Sequence, residues 1–136
     1  MSFKFEQLDV RKMSLDYCDL IYELADQLPE SERFNLKSQI TRAATSISLN
    51  IGEGSTSQRD AEQSRFLGMA LRSPIETVAC QRLITCRKYV NEKLTMDRLD
   101  SQAQELAKRL HAFRRSLTNS KRSISEGQLL YAIDEF

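Results

Sequence analysis

Glu32–Gly54, ERFNLKSQITRAATSISLNIGEG, is the stretch whose reading decides the fold. Leu36, Ile40, Ala43, Ala44, Ile47 and Ile51 recur at steps of three and four, which places them on one stripe of an α-helix. From Ala43 to Gly52 no charged residue occurs. A surface helix turns lysines and acids to water on its far side, so this uncharged run predicts a helix covered from a second direction as well. Thr45, Ser46 and Ser48 keep that side small, which suits either a central bundle helix or a subunit interface. The helix is expected to stop at Gly52-Glu53-Gly54, with Gly54 free to adopt the left-handed conformation of a C-terminal cap.

Three further amphipathic segments surround it. The first carries Val10, Met13, Tyr17, Leu20, Ile21, Leu24 and Leu28 at helical spacing, with Asp16, Asp19, Glu23 and Asp26 on other faces. Asp9 is its expected N-cap, Leu8 and Met13 its hydrophobic staple, and Pro29 its end. Ser57 and Asp60 form a capping-box-like start for the third helix, expected over Gln58–Tyr89. Its apolar frame reads Leu67, Leu71, Ile75, Val78, Ala79, Leu83, Cys86 and Val90, and it crosses Pro74 without slipping. A proline inside a helix costs roughly 3 kcal/mol, which predicts a kink near Ala70–Pro74, not a break. The fourth segment opens at Thr95 as N-cap, with Leu94 and Leu99 as staple, and continues through Ala103, Leu106, Leu110, Phe113 and Leu117. Four such segments joined by short links predict an all-α, antiparallel up-down-up-down four-helix bundle over residues 1–119. Residues 120–136 follow as an extension with an apolar patch, Leu129, Leu130, Tyr131, Ile133 and Phe136; it is either a disordered or loosely docked tail or a partner-binding peptide.

Composition narrows the chemistry. At 136 residues with 40% apolar side chains, four glycines and two prolines, the chain is one helical domain with a real core. The charged N-terminus and the lack of any long apolar run predict a soluble, cytoplasmic protein with no membrane contact. Cys18, Cys80 and Cys86 have no CxxC spacing, so neither a disulfide framework nor a zinc site is indicated. His111 is the only histidine, which excludes histidine-based metal clusters, and the glycines of GEGS end a helix where a phosphate loop would open one. Neither enzymatic activity nor a cofactor is expected.

Charge is unevenly placed although its net value is only +1. Residues 1–30 hold three basic and seven acidic side chains, and residues 61–122 hold thirteen basic and six acidic. Lys108, Arg109, Arg114, Arg115, Lys121 and Arg122 follow one another with no acid among them. Lys108, His111, Arg115 and Arg122 share a stripe turned away from Leu106. Arg65 and Arg72, with Arg82, Arg87 and Lys88, could extend that surface from the third helix. Such a ridge is either a solvated face balanced by the acidic first helix, in the same or a neighbouring subunit, or a contact for the phosphate backbone of RNA. Aromatic residues do not interleave with it, so recognition would follow shape and charge more than base stacking. A second candidate is the row Gln39, Arg42, Ser46, Asn50 and Glu53 on the second helix. It is read either as a buried subunit contact, with Arg42 satisfied by Glu76 or Glu53, or as a polar network inside one bundle.

Arg33 to Gly54, with Gln39, Arg42-Ala43-Ala44, Ser46-Ile47, Asn50-Ile51 and Glu53-Gly54, resembles the signature of the 23S ribosomal RNA intervening-sequence proteins. Phe5-Glu6-Gln7-Leu8-Asp9-Val10, Arg65-Phe66-Leu67, Ala70 and the Ser73/Glu76 pair extend the likeness over roughly residues 3 to 119. The accessory variability determinant of diversity-generating retroelements is similar to the same family. The resemblance implies a four-helix bundle that assembles into a homopentameric ring, without enzymatic activity, and suspected of binding nucleic acid. Arg11 replaces a usual aromatic, Gly52 a usual alanine, and Pro74 stands inside the third helix.

Overall fold

The computed structural model describes residues 2–122, with side-chain surroundings given for residues 7–117. Its elements are α1 (Ser2–Asp26), α2 (Leu36–Ser55), α3 (Asp60–Cys86) and α4 (Lys93–Arg122), with one 3-10 turn at Glu30–Glu32 between α1 and α2. Each helix packs on the two beside it in a closed circuit, α1 on α2, α2 on α3, α3 on α4 and α4 on α1. This is the expected all-α four-helix bundle, since short links force sequential helices to run antiparallel. The second direction of cover expected for α2 is thus supplied within the chain, by α1 on one side and α3 on the other. Beyond Arg122 the expected extension, with Leu129, Leu130, Tyr131, Ile133 and Phe136, lies outside the described residues.

The stripes of α2 and α4 are buried as their spacing requires: Leu36, Ile40, Ala44, Ile47 and Ile51 share one core with Leu99, Ala103, Leu106, Leu110, Phe113 and Leu117, and Ala43 is buried toward α3. From α1 the core takes Val10, Tyr17, Ile21, Leu24 and Leu28, while Met13 and Leu20 pack at its edge. The frame of α3 holds through Leu71 and again at Val78 and, past the helix end, at Val90, but fails at Ile75, Ala79, Leu83 and Cys86. Beyond Leu71 the buried positions of the helix are Ser73, Pro74, Thr77, Cys80, Gln81 and Ile84, whereas Ile75 is 73% and Leu83 53% exposed. Two polar residues have displaced two apolar ones because they have partners across the bundle. Gln81 Nε2 donates to Tyr17 Oη at 3.2 Å, Tyr17 Oη lies 2.8 Å from Thr77 Oγ1, and Thr77 Oγ1 donates to the Pro74 carbonyl at 2.7 Å. Gln81 Oε1 is buried and has no partner. The helix passes through Pro74 without interruption.

Several helix ends differ from expectation. Asp9 does not cap α1, which starts at Ser2, and exposed Leu8 makes no staple. Likewise α4 starts at Lys93, so Thr95 lies inside it, and Leu94 is exposed. At α3 the N-cap position belongs to Arg59, and the Ser57 hydroxyl accepts the Arg59 N–H instead of capping the first turn. Gly54 is not a left-handed stop, because α2 continues to Ser55 and none of the described glycines has positive φ. It is instead a place of close approach: a Cβ there would stand 3.1 Å from the Phe66 Cβ on α3.

The left-handed residue is Lys88, with φ 61°, just past the end of α3. Tyr89 N–H bonds the Ile84 carbonyl and Lys88 N–H that of Thr85, the two bonds of a Schellman motif. A lysine side chain in that conformation crowds the following carbonyl, so Lys88→Gly should raise stability by about 1 kcal/mol, read as a higher urea midpoint with unchanged slope.

The same turn anchors the α1–α2 connector. Tyr89 Oη donates to Glu32 Oε2 at 2.8 Å, while Glu32 Oε1 accepts from Asn35 Nδ2 at 3.0 Å and from the Leu36 N–H at 3.4 Å. These donors, Tyr89 foremost, hold the Glu32 carboxyl below its ordinary value of 4.5. A depressed carboxylate contributes stability above its unfolded pKa and loses it as the pH falls through the lower folded value. Glu32→Gln should therefore lower the melting temperature at pH 7 and flatten the decline below pH 4.5, a comparison made by thermal melts across that range.

Candidate nucleic-acid interface

The basic residues of α4 separate into three groups according to what their helix faces meet. Arg109 points toward α1, where its guanidinium pairs with Asp9 and, along its own helix, with Glu105 at 3.0 Å. Glu105 first, and Asp9 with it, push the Arg109 pKa above its ordinary value. Arg114 lies over α3, donating to Ser64 Oγ at 3.1 Å, and burial pushes its pKa down. Gly68 makes room for it, since a Cβ at that position would come within 2.9 Å of the Arg114 guanidinium. Lys108 and Arg115 are exposed and form no ion pair among the described residues. Of the expected set, Arg122 has side-chain surroundings outside those described.

Arg65 and Arg72 are exposed on α3, seven residues apart and so on nearly the same face. Arg65 lies over the neighbouring Phe66 ring, 4.9 Å from its centre. The pairing of α3 with α4 brings the two sets onto one side of the bundle. Ser64 and Gly68 meet Arg114 and Arg82 pairs with Asp100, so the outer face of α3 adjoins the α4 face that carries Lys108 and Arg115. Arg82 is not an unpaired extension of that face, because Asp100 Oδ2 holds it at 3.0 Å. Arg87 and Lys88 lie at the far end, where Arg87 donates to Tyr89 Oη at 3.3 Å. Between the two sets, His111 is pushed below its ordinary value by partial burial and then by Arg115 and Arg114, so its imidazole is neutral at pH 7.

The polar row of α2 borders a groove. Gln39, Arg42 and Ser46 line one wall and Ser73, Glu76 and Leu83 the other, enclosing about 490 Å³. Asn50 and Glu53 lie below it. The hydrogen bonds of the row run along α2 itself: Gln39 Nε2 to Asn35 Oδ1, Arg42 Nη2 to Ser38 Oγ, and Asn50 Nδ2 to the Ser46 carbonyl and hydroxyl. Among the described residues of one chain Arg42 is exposed and pairs with neither Glu76 nor Glu53.

No helix among the described residues is long and apolar enough to cross a membrane, and no group of three or more metal-binding side chains occurs there. Fold and side chains together define a small four-helix bundle. The chain belongs to the 23S rRNA-intervening sequence protein family, whose profile matches residues 6–112. A solved structure from Bacteroides thetaiotaomicron, described as a protein of unknown function from the S23 ribosomal protein family, superposes with a TM-score of 0.73. It shares 25% identity and covers 81% of this chain and 98% of its own. No curated protein matches the sequence.

Proposed function

We propose that this chain is a non-enzymatic, homo-oligomeric cytoplasmic module that binds RNA or a ribonucleoprotein through the outer face of α3 and α4. The observation that carries the reading is the shared exposure of Arg65, Arg72, Lys108 and Arg115 without carboxylate partners among the described residues. Cations left unneutralised at neighbouring positions repel one another and favour a polyanion. Arg109 and Arg114 hold the scaffold, and Arg122 would add to the face. The rRNA-related family points to the same kind of ligand.

Oligomerisation is the second half of the proposal. The resemblance implies five copies, and the α2–α3 groove with Gln39, Arg42, Ser46 and Glu76 offers a contact in which Arg42 would find a carboxylate on the next copy. Asn50 and Glu53 would continue that contact below the groove, and a bend of α3 at Pro74 would set its angle. Repetition around a ring multiplies weak contacts into avidity. Fluorescence anisotropy with a structured RNA across a salt series tests the reading. With about three phosphates neutralised per copy, the log–log slope should be near −2 to −3 per engaged copy. Absence of binding at about 50 mM salt would falsify it.

A protein adaptor that never touches nucleic acid is the second reading, favoured by the outward Ile75 and Leu83. Under it, a partner captured from lysate stays bound after nuclease treatment; loss of all partners with nuclease counts against the adaptor.

A further inference from the structure

The outward face of α1 carries an apolar stripe that the bundle itself does not use. Leu8, Leu15 and Tyr22 follow one another at seven-residue steps on the side away from the core, between 47% and 55% exposed, over about 21 Å of helix. Leu49 on α2, one turn from the Thr45 hydroxyl that lies 3.2 Å from Tyr22 Oη, adds a fourth. Four of the eight large apolar side chains exposed among the described residues thus lie on one side of the molecule, and apolar surface gathered in this way marks a contact. The α2–α3 groove has the complementary shape. Its lining is small, Ala43 and Ser46 on α2 with Ser73 and Ala79 on α3, and Leu83 stands half exposed within it. Small side chains let a further helix come close.

We infer that the outward stripe of α1 seats in the α2–α3 groove of the next copy of this chain, with Leu15 and Tyr22 filling it beside Leu83. The inference rests on assembly of several copies and names the face that meets the groove. Length agrees: Leu15 to Tyr22 and Gln39 to Ser46 are each a step of seven residues, about 10 Å. Height agrees too. Ser48 Oγ donates to Ser14 Oγ at 3.1 Å and Tyr22 meets Thr45, so the stripe lies level with the stretch of α2 that borders the groove. Copies in a ring need both faces at one height, since any axial slip would give an open helix. α1 and α3 stand at opposite corners of the bundle, so the two faces are distinct and the contact runs head to tail. Charge is matched in both signs. Arg42 and Glu76 stand on the two walls of the groove, and neither forms an ion pair among the described residues. Beside the stripe, α1 exposes Arg11 and Lys12 and then Asp16, Asp19 and Glu23, whereas its ion pairs among the described residues are those of Asp9 and Asp26. The next copy's α1 thus supplies Arg42 with a carboxylate and Glu76 with a cation.

Two variants of the full chain test the contact, Leu15→Asp on the stripe and Leu83→Asp in the groove, both at exposed positions. By light scattering the unaltered chain should have the mass of several copies and each variant that of one. Mixed in equal amounts, the two variants should form a pair and nothing larger. The intact stripe of one then meets the intact groove of the other, and both remaining faces carry an aspartate. Variants that keep the full mass, or a mixture that stays at one copy, overturn the inference and leave assembly itself standing. An unaltered chain that is a single copy at every concentration removes both. A second measurement needs neither variant. Benzoylphenylalanine in place of Leu83, irradiated in a mixture of light and heavy isotope-labelled copies, should link to the tryptic peptide of residues 13–33 from another copy. Linkage within one copy, or only to other segments, overturns the inference.

Discussion

Tyr17→Phe is expected to destabilise the bundle by about 2–3 kcal/mol, although it removes one oxygen atom and leaves no cavity. Tyr17 is 1% exposed, and its hydroxyl is the acceptor for Gln81 Nε2 and the donor to Thr77 Oγ1, which in turn donates to the Pro74 carbonyl. Without it the amide of Gln81, whose Oε1 already lacks a partner, is buried with neither end satisfied. An unpaired buried polar group costs about 1–3 kcal/mol, more than the hydrogen bond itself contributes. Gln81→Met should therefore move the other way, raising stability by about 1 kcal/mol as the orphan carbonyl disappears and volume is kept. The double variant should lose about 1–2 kcal/mol less than the two single effects added together. Urea unfolding of the four proteins measures this cycle, and strict additivity would show that the three side chains do not act as a unit. Alkaline pH offers a separate check. Burial raises the Tyr17 pKa from 10.0 to about 12, so its contribution is complete below pH 10 and is lost as the pH climbs through 12. The total lost is about 3 kcal/mol, and Tyr17→Phe should lack this part of the decline.

The second large effect concerns RNA. Lys108→Glu with Arg115→Glu should weaken binding by roughly 100-fold at about 50 mM salt and make the log–log salt slope shallower by about 1.5 per engaged copy. Arg109→Gln should change affinity less than about threefold, because its guanidinium already serves Asp9 and Glu105. Equal losses from the two changes would mean that position on the helix does not matter and that only total charge does. Circular dichroism melts accompany the comparison, so that a folding defect in either variant is seen directly.

Much of this arrangement was legible in the sequence, and what was not has a physical reason. The leucine-rich stripe of α4 and the isoleucine and alanine stripe of α2 were read correctly, because each faces a core that asks only for apolar surface. The lower half of α3 was read in register, whereas in its upper half only Val78, with Val90 beyond the helix, faces the core as expected. Thr77 and Gln81 are buried by a tyrosine 60 and 64 residues away in the chain, a pairing that periodicity cannot reveal. Their inward turn sends Ile75 and Leu83 to the surface. Similarly, the basic run of α4 was visible as a run, and its outward stripe of Lys108, His111 and Arg115 was read correctly. That Arg109 and Arg114 leave it depends on Asp9 and Ser64, 100 and 50 residues distant. Helix starts failed for a simpler reason. Asp9 and Thr95 are good capping residues, but residues before them also sustain helix, and nothing local obliges the first turn to begin at the best cap.

The near-contact of Gly54 with Phe66 gives the α2–α3 pair a fulcrum. With backbone almost touching side-chain root at that end, the two helices can change their angle only by opening at the other, as a clothes-peg does. Arg42 and Ser46 stand about 12–18 Å up the lever arm, so a tilt of about five degrees widens the cleft beside them by about 1–1.5 Å. A residue bulkier than glycine at position 54 would wedge the peg ajar at its spring, and the cleft would feel that change without any of its own side chains being altered.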